Sequence, residues 1–189
     1  MRLVIAITGA SGVVYGKRLL EVLREKEVET HLIISGAGEK IIEYELGVAK
    51  ADIEKLANHS YEEDDLSAPI ASGSFPTDGM VIIPCSTKTL AGIAHGYSEN
   101  LILRSAEVAL KERRKLILVP REAPFNMTHL RNMLNLTLQG AVIIPAAPAF
   151  YHKPRNINDL IDFIVGKILD LLGIKHELVG RWPLDSKIV

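Results

Sequence analysis

Three short segments place hydroxyl, guanidinium and carboxylate groups where they could handle a phosphate. "PCSTKT" (84–89) supplies Ser86, Thr87 and Thr89 around Lys88. "PREAPF" (120–125) sets Arg121 beside Glu122, and "TGASG" (8–12) places Ser11 among Gly9, Ala10 and Gly12. Hydroxyls and the free amides of a helix start can donate to phosphate oxygens, and an arginine fork can hold two of them at once. Glu122 could give or take a proton. Each residue also has a plainer reading, Ser86 as a helix N-cap and Arg121 and Glu122 as loop charges. Their recurrence at the ends of successive apolar runs is what points to one anionic ligand.

A second group lies on "ENLILRSAEVALKER" (99–113). Arg104 and Lys111 are seven residues apart, so on a helix they point within about 20° of each other. That alignment suits either a solvated stripe or part of a phosphate pocket, with Glu107 between them as a salt-bridge partner. Tyr151 and Lys167 add an aromatic hydroxyl and a further cation. No His-x-x-His, HExxH or carboxylate cluster shows metal-ligand spacing, so no metal is expected. The single cysteine, Cys85, excludes an internal disulfide framework and reads as a small buried side chain.

The elements that must position these groups follow from five nearly continuous apolar runs: 3–7, 30–35, 80–84, 115–120 and 141–145. Runs without alternation are expected of strands covered on both faces. Helical spacing fills 13–25, 37–47, 86–94, 99–113, 127–138 and 156–172, the last capped by Asn156 or Asn158 and stopped by Gly173. Alternation of this kind predicts an α/β fold, a three-layer parallel sheet with helices on both faces and ligands beyond the carboxyl ends of the strands. Residues 58–79 break the rhythm and read as a lid, binding loop or interface arm.

The turn "IAITGASGVVYG" (5–16) raises the question of what it holds: a dinucleotide, a mononucleotide or nothing. Its glycines are spaced G-x-x-G-x-x-x-G rather than G-x-G-x-x-G, and the second strand ends in Ser35-Gly36 where a ribose-binding acid is expected. Both departures weaken the dinucleotide reading and leave a smaller phosphate-bearing ligand or a bare turn.

With 189 residues, 48% of them hydrophobic, the chain suits a single domain with a substantial core. Lys+Arg of 22 against Asp+Glu of 23 gives no dominant sign of charge, so neither nucleic acid nor an anionic membrane is expected as a partner. The chain opens directly on a strand-like run and has no apolar stretch of membrane-spanning length, from which a cytoplasmic location is expected.

"TGASGVVYG", "PCSTKTLAGIAHG", "NLILRSAEVALKERRKLILVPREAPF", "HLRNMLNLTLQGAVIIPAAPAFYHKP" and the closing "LGI…RW" resemble the UbiX-type flavin prenyltransferases over nearly the whole chain. The resemblance implies a Rossmann-like or flavodoxin-like unit assembled into a dodecamer. It also implies transfer of the dimethylallyl group of dimethylallyl monophosphate to N5 and C6 of reduced FMN, without a metal. Phosphate is released, and the prenylated FMN serves a UbiD-type decarboxylase. By the same resemblance Gly9, Ala10, Ser11, Ser35, Ser86, Thr87, Lys88, Thr89 and Arg121 bind the flavin, and Arg104, Lys111, Tyr151 and Lys167 bind the prenyl phosphate. Ser11, Glu45, Glu122 and Trp182 take catalytic roles, with residues 173–189 closing the site. Lys167 stands where some relatives have Arg, keeping the charge but not the two-pronged geometry. A peptidyl-cysteine-type decarboxylase is the alternative enzyme, but its relatives favour a "PASANT"-like loop where this chain has "PCSTKT". The other alternative, a non-catalytic FMN-binding subunit, has no use for Arg104, Lys111 and Tyr151.

Overall fold

The structure is a computed structural model describing residues 1–180. Trp182, expected to wall the site, lies outside the described residues. The chain divides into two compact units, Met1–Ala146 and Ala147–Val189.

The first unit is built on six parallel strands: β1 (Arg2–Ile7), β2 (Glu29–Ile34), β3 (His59–Tyr61), β4 (Gly79–Cys85), β5 (Lys115–Pro120) and β6 (Val142–Ile143). Their order across the sheet is β3-β2-β1-β4-β5-β6, the Rossmann order, whose direction reverses between β1 and β4. The helices between them are α1 (Val13–Glu25), α2 (Gly36–Leu46), α3 (Lys50–Glu54), α4 (Thr87–Ala94), α5 (Leu101–Lys111) and α6 (Met127–Leu138).

The unbroken apolar runs are explained by burial on both faces. Val4, Ala6, Ile33, Met80, Ile82, Leu116 and Leu118 join one core cluster with residues of α4, α5 and α6. The alternate residues Ile5, Ile7, Val81, Ile83 and Ile117 are equally buried on the other face. There α1 lies so close that a Cβ on Gly16 would fall 2.6 Å from the Ile83 carbonyl oxygen and 2.9 Å from the Ile7 side chain. The expected layering therefore holds, with helices against both faces.

Two differences from the sequence reading have clear physical causes. Residues 58–79 contain a strand, β3, paired with the β2 edge, and a 3-10 turn at Pro69–Ala71. The strand is short, with two exposed residues, so it carries no apolar run to betray it. Beyond β3 the segment is moored to α5: Leu101 N donates to Glu63 O (2.7 Å), Ser105 Oγ to Ile70 O (3.3 Å) and Arg104 Nε to Ala71 O (3.0 Å). Arg114 adds bonds to the Gly73 and Phe75 carbonyls. The expected strand at 141–145 shrinks to two residues because only Val142 and Ile143 pair with β5.

The second unit contains α7 (Ile157–Leu172), capped by Asn156, whose side chain accepts from Asp159 N, and ended by Gly173 in the left-handed region.

Candidate active site

The switch point between β1 and β4 is joined through one hydroxyl. Thr8 Oγ1 donates to Pro84 O (2.7 Å) and accepts from Ser86 N (2.8 Å), fixing the loop after β1 against the loop after β4. Ser86 then caps α4, its Oγ accepting from Thr89 N (3.2 Å) and donating to Thr89 Oγ1 (3.0 Å). The plainer reading of Ser86 is thus fulfilled, and it leaves the Thr87 and Lys88 amides as the opening of that helix.

The two neighbouring helix starts are closed. Glu45, near the end of α2, reaches across to the start of α1, where its Oε2 accepts from Gly12 N (2.9 Å) and Val13 N (3.3 Å). Gly12 caps α1 with φ of 100°, a left-handed conformation that a residue with a side chain rarely adopts, and offers no capping side chain of its own. Glu63, from the segment after β3, accepts from Gly36 N (3.0 Å) at the start of α2 and from Asn100 Nδ2 (3.4 Å). Ser35 Oγ caps the same helix by accepting from Gly38 N (3.0 Å). Each carboxylate meets the positive end of a helix dipole, so an incoming anion meets negative charge at α1 and α2 but not at α4.

Sequence reasoning did not find Glu63. Its only signal is an acidic residue in an aperiodic segment, and its partners lie 27 and 37 positions away. The acid missing from the end of β2 is therefore supplied through space, bound to an amide. Gly9 also gains a second explanation, since a Cβ there would sit 2.5 Å from the Ala37 Cβ; its bareness lets α2 approach the turn. Ala10 is buried and Ser11 is exposed beside it.

Arg121 follows β5, and its Nε is shielded from solvent and has no hydrogen-bond partner among the described residues. A buried guanidinium donor left unpaired is costly, and an anionic oxygen is the acceptor that answers it. Glu122 Oε1 accepts from Ala123 N (3.0 Å), which holds its carboxylate in the same loop. The donor set fits a flavin mononucleotide: the α4 amides, the Thr89 hydroxyl, whose proton Ser86 leaves free, and Arg121 Nε could hold its phosphate, with the bare turn Gly9–Ser11 at the β1 end.

Arg104 and Lys111 share the expected face of α5, but their bonds turn elsewhere. Arg104 Nη1 pairs with Glu107 (2.9 Å), while Lys111 bonds Glu112 rather than Glu107. Bonds from Ser98 and Arg104 hold the Glu107 carboxyl below the usual carboxylate range. Lys111 and Glu107 border a cavity of about 440 Å³ floored by Ile93, Leu103, Leu110 and Leu138, which includes none of the strand-end residues. In the second unit, Tyr151 and Lys167 line a cavity of about 270 Å³ with Phe163, Asp170 and His176. Lys167 Nζ stands 5.8 Å from the Phe163 ring centroid, a cation over an aromatic face.

Cys85 takes no part: it is fully buried, and desolvation pushes its thiol up to about 12. Among the described residues, no helix is long and apolar enough to cross a membrane.

This fold and this donor set define an α/β flavoprotein, and the pattern of the flavoprotein family matches residues 1–169. The flavin prenyltransferase UbiX of Methanocaldococcus jannaschii is 56% identical over 182 residues, covering 96% of this chain and 98% of that one. A solved AnUbiX (PadA1) in complex with FMN and dimethylallyl pyrophosphate superposes with a TM-score of 0.94 at 48% identity, covering 96% of each chain. A dodecameric FMN-dependent UbiX-like decarboxylase from Escherichia coli O157:H7 has the same TM-score at 46% identity, covering 96% of this chain and 99% of that one. The chain belongs to the UbiX-type flavin prenyltransferases.

Proposed function

We propose that the protein joins the dimethylallyl group of dimethylallyl monophosphate to reduced FMN at N5 and C6, releasing phosphate without a metal. The observation that carries the reading is the presence of distinct phosphate-receptive places. One lies at the strand ends, where Arg121 Nε is buried with no hydrogen-bond partner among the described residues, and another is the cavity lined by Tyr151 and Lys167. A donor and an acceptor that each bear a phosphate require such a division. When bound, the reduced flavin supplies the nucleophilic atoms.

The chain's own groups do the rest. Ser86, Thr87, Lys88, Thr89 and Arg121 bind the flavin phosphate, and Gly9, Ala10, Ser11 and Ser35 shape the remainder of its bed. Arg104, Lys111, Tyr151 and Lys167 offset the negative charge that develops on the departing phosphate. Glu122 takes the proton lost on ring closure, with Glu45 and the released phosphate assisting the proton traffic. Trp182 belongs to the same reading as a wall beside the allyl group.

The two units work as one flavoprotein domain in this proposal, supported by a family match that runs from the first unit into the second. A dodecamer is proposed on the strength of the Escherichia coli relative. The product passes to a UbiD-type decarboxylase, and the cytoplasm is the proposed compartment, where flavin can be kept reduced.

The test separates the two places. Lys167→Ala and Tyr151→Phe should weaken dimethylallyl monophosphate at least tenfold in competition binding while leaving FMN affinity within twofold. Equal loss of both ligands would overturn the division.

A further inference from the structure

Toward the amino-terminal ends of β2 and β3, away from the strand ends that carry the candidate site, three donors meet that the proposed reaction does not use. His31 of β2 stands in register with His59 of β3. Glu29 precedes His31 by two residues, so on an extended strand the two side chains share a face. Alternation along one strand and register across to the next thus bring two imidazoles and a carboxylate together. His31 Nε2 lies 3.0 Å and His59 Nε2 3.9 Å from the same Glu29 Oε1. One donor atom from each residue falls within 4.8 Å of the others. The rings stack at 4.6 Å with 22° between their planes. Tetrahedral zinc, with bonds of about 2.0–2.2 Å, holds its ligand atoms about 3.3 Å apart, so small rotations of the exposed His59 close the set.

The surroundings resemble the outer shell of a metal site. His31 Nδ1 is 2.9 Å from Tyr61 Oη, two residues beyond His59 on the same strand. In the tautomer that carries its proton on Nδ1, toward Tyr61 Oη, His31 turns the Nε2 lone pair to the Glu29 side and can ligate a cation there; in the other tautomer Nε2–H donates to Glu29, and a cation would take that proton's place. Arg2 Nε donates to Glu29 Oε1 (2.8 Å) and orients the carboxylate. The Arg2 guanidinium is itself held over the Phe75 ring, 4.6 Å from its centroid, and by Pro76 O (3.1 Å). The side chain of His31 is 3% exposed and that of His59 52%, so one ligand is fixed and the other faces water that can complete the coordination.

We propose that Glu29, His31 and His59 form a binding site for one borderline divalent cation of the zinc class on the β2–β3 edge. A cation there clasps β3 to β2 at the root of the segment that carries Glu63 to the start of α2. The site stands on its own residues and is independent of the reaction assigned above.

The probe is zinc chloride, titrated into chelator-stripped full-length protein against a chromophoric competitor chelator. The expected result is one zinc per chain, at least tenfold weaker in His59→Ala and unchanged in His95→Ala, which removes a histidine outside the cluster. Zinc should also raise the melting temperature of the wild type and not of His59→Ala. Absence of stoichiometric binding, or binding undiminished in His59→Ala, would overturn the proposal.

Discussion

The Glu45 carboxylate sits 2.9 Å from the Gly12 amide and closes the start of α1, the place where dinucleotide folds seat a pyrophosphate. Glu63 does the same at α2, 3.0 Å from the Gly36 amide. Of the helix starts after β1, β2 and β4, only α4 is left for an anion. That pattern suits the single phosphate of a mononucleotide better than a pyrophosphate, the question posed by the irregular glycine turn.

Removing the Glu45 cap tests this relationship. Glu45→Ala should cost about 1 kcal/mol of stability, the ordinary value of a lost N-cap, measured by urea unfolding. Glu45→Gln keeps an acceptor for Gly12 N and should lose only about 0.3–1 kcal/mol of charge–dipole interaction. A turnover loss in Glu45→Gln far larger than this stability change would mark the carboxylate's part in the chemistry.

Arg121 Nε has no hydrogen-bond partner among the described residues, so Arg121 should matter most once FMN is bound. A hydrogen bond to a charged group is worth about 1.5–3 kcal/mol, so Arg121→Met should weaken FMN roughly 10- to 100-fold in fluorescence titration. Arg121→Lys should recover only part, because an ammonium cannot form the fork. Undiminished affinity in Arg121→Met would remove Arg121 from the phosphate site.

Glu122→Gln should leave FMN affinity intact and lower turnover by about 10²–10⁴-fold, the range for loss of a general base. Full activity in that variant would assign the proton to another group, and single-turnover kinetics makes the distinction.

The β2 edge sets an acid limit on stability. Glu29 titrates at about 2 in the folded chain, below its unfolded value, so its contribution is complete above about pH 4.5 and is lost as pH falls toward 2. Burial lowers the His31 pKa, so the unfolded chain takes up that proton first and stability also declines as pH falls below about 6.5. Both effects run in the same direction. Unfolding midpoints should fall with acid in the wild type, and the decline just below pH 6.5 should flatten in His31→Asn.

Most of the sheet, five helices of the first unit and α7 of the second are legible in the sequence because burial on both faces leaves unbroken aliphatic runs, and because Asn126 and Asn156 cap helices where the spacing places them. β3 and α3 are not, since each is five residues or shorter and largely lacks the apolar pattern that burial imposes. Within the site, Ser35, Ser86 and Arg121 can be read from their positions after strands. Glu63 on Gly36, and the Glu29–His31–His59 cluster, arise from register and chain crossing. No local spacing such as His-x-x-His encodes them. Tyr151 and Lys167, sixteen positions apart, come to line one cavity because a loop residue folds beside α7.

The most direct measurement of the central claim is the mass of the flavin after anaerobic incubation of the protein with reduced FMN and dimethylallyl monophosphate. The predicted result is FMN heavier by one prenyl unit with one phosphate released per flavin, in buffer freed of metal by chelation. Recovery of unmodified FMN with intact dimethylallyl monophosphate would contradict it.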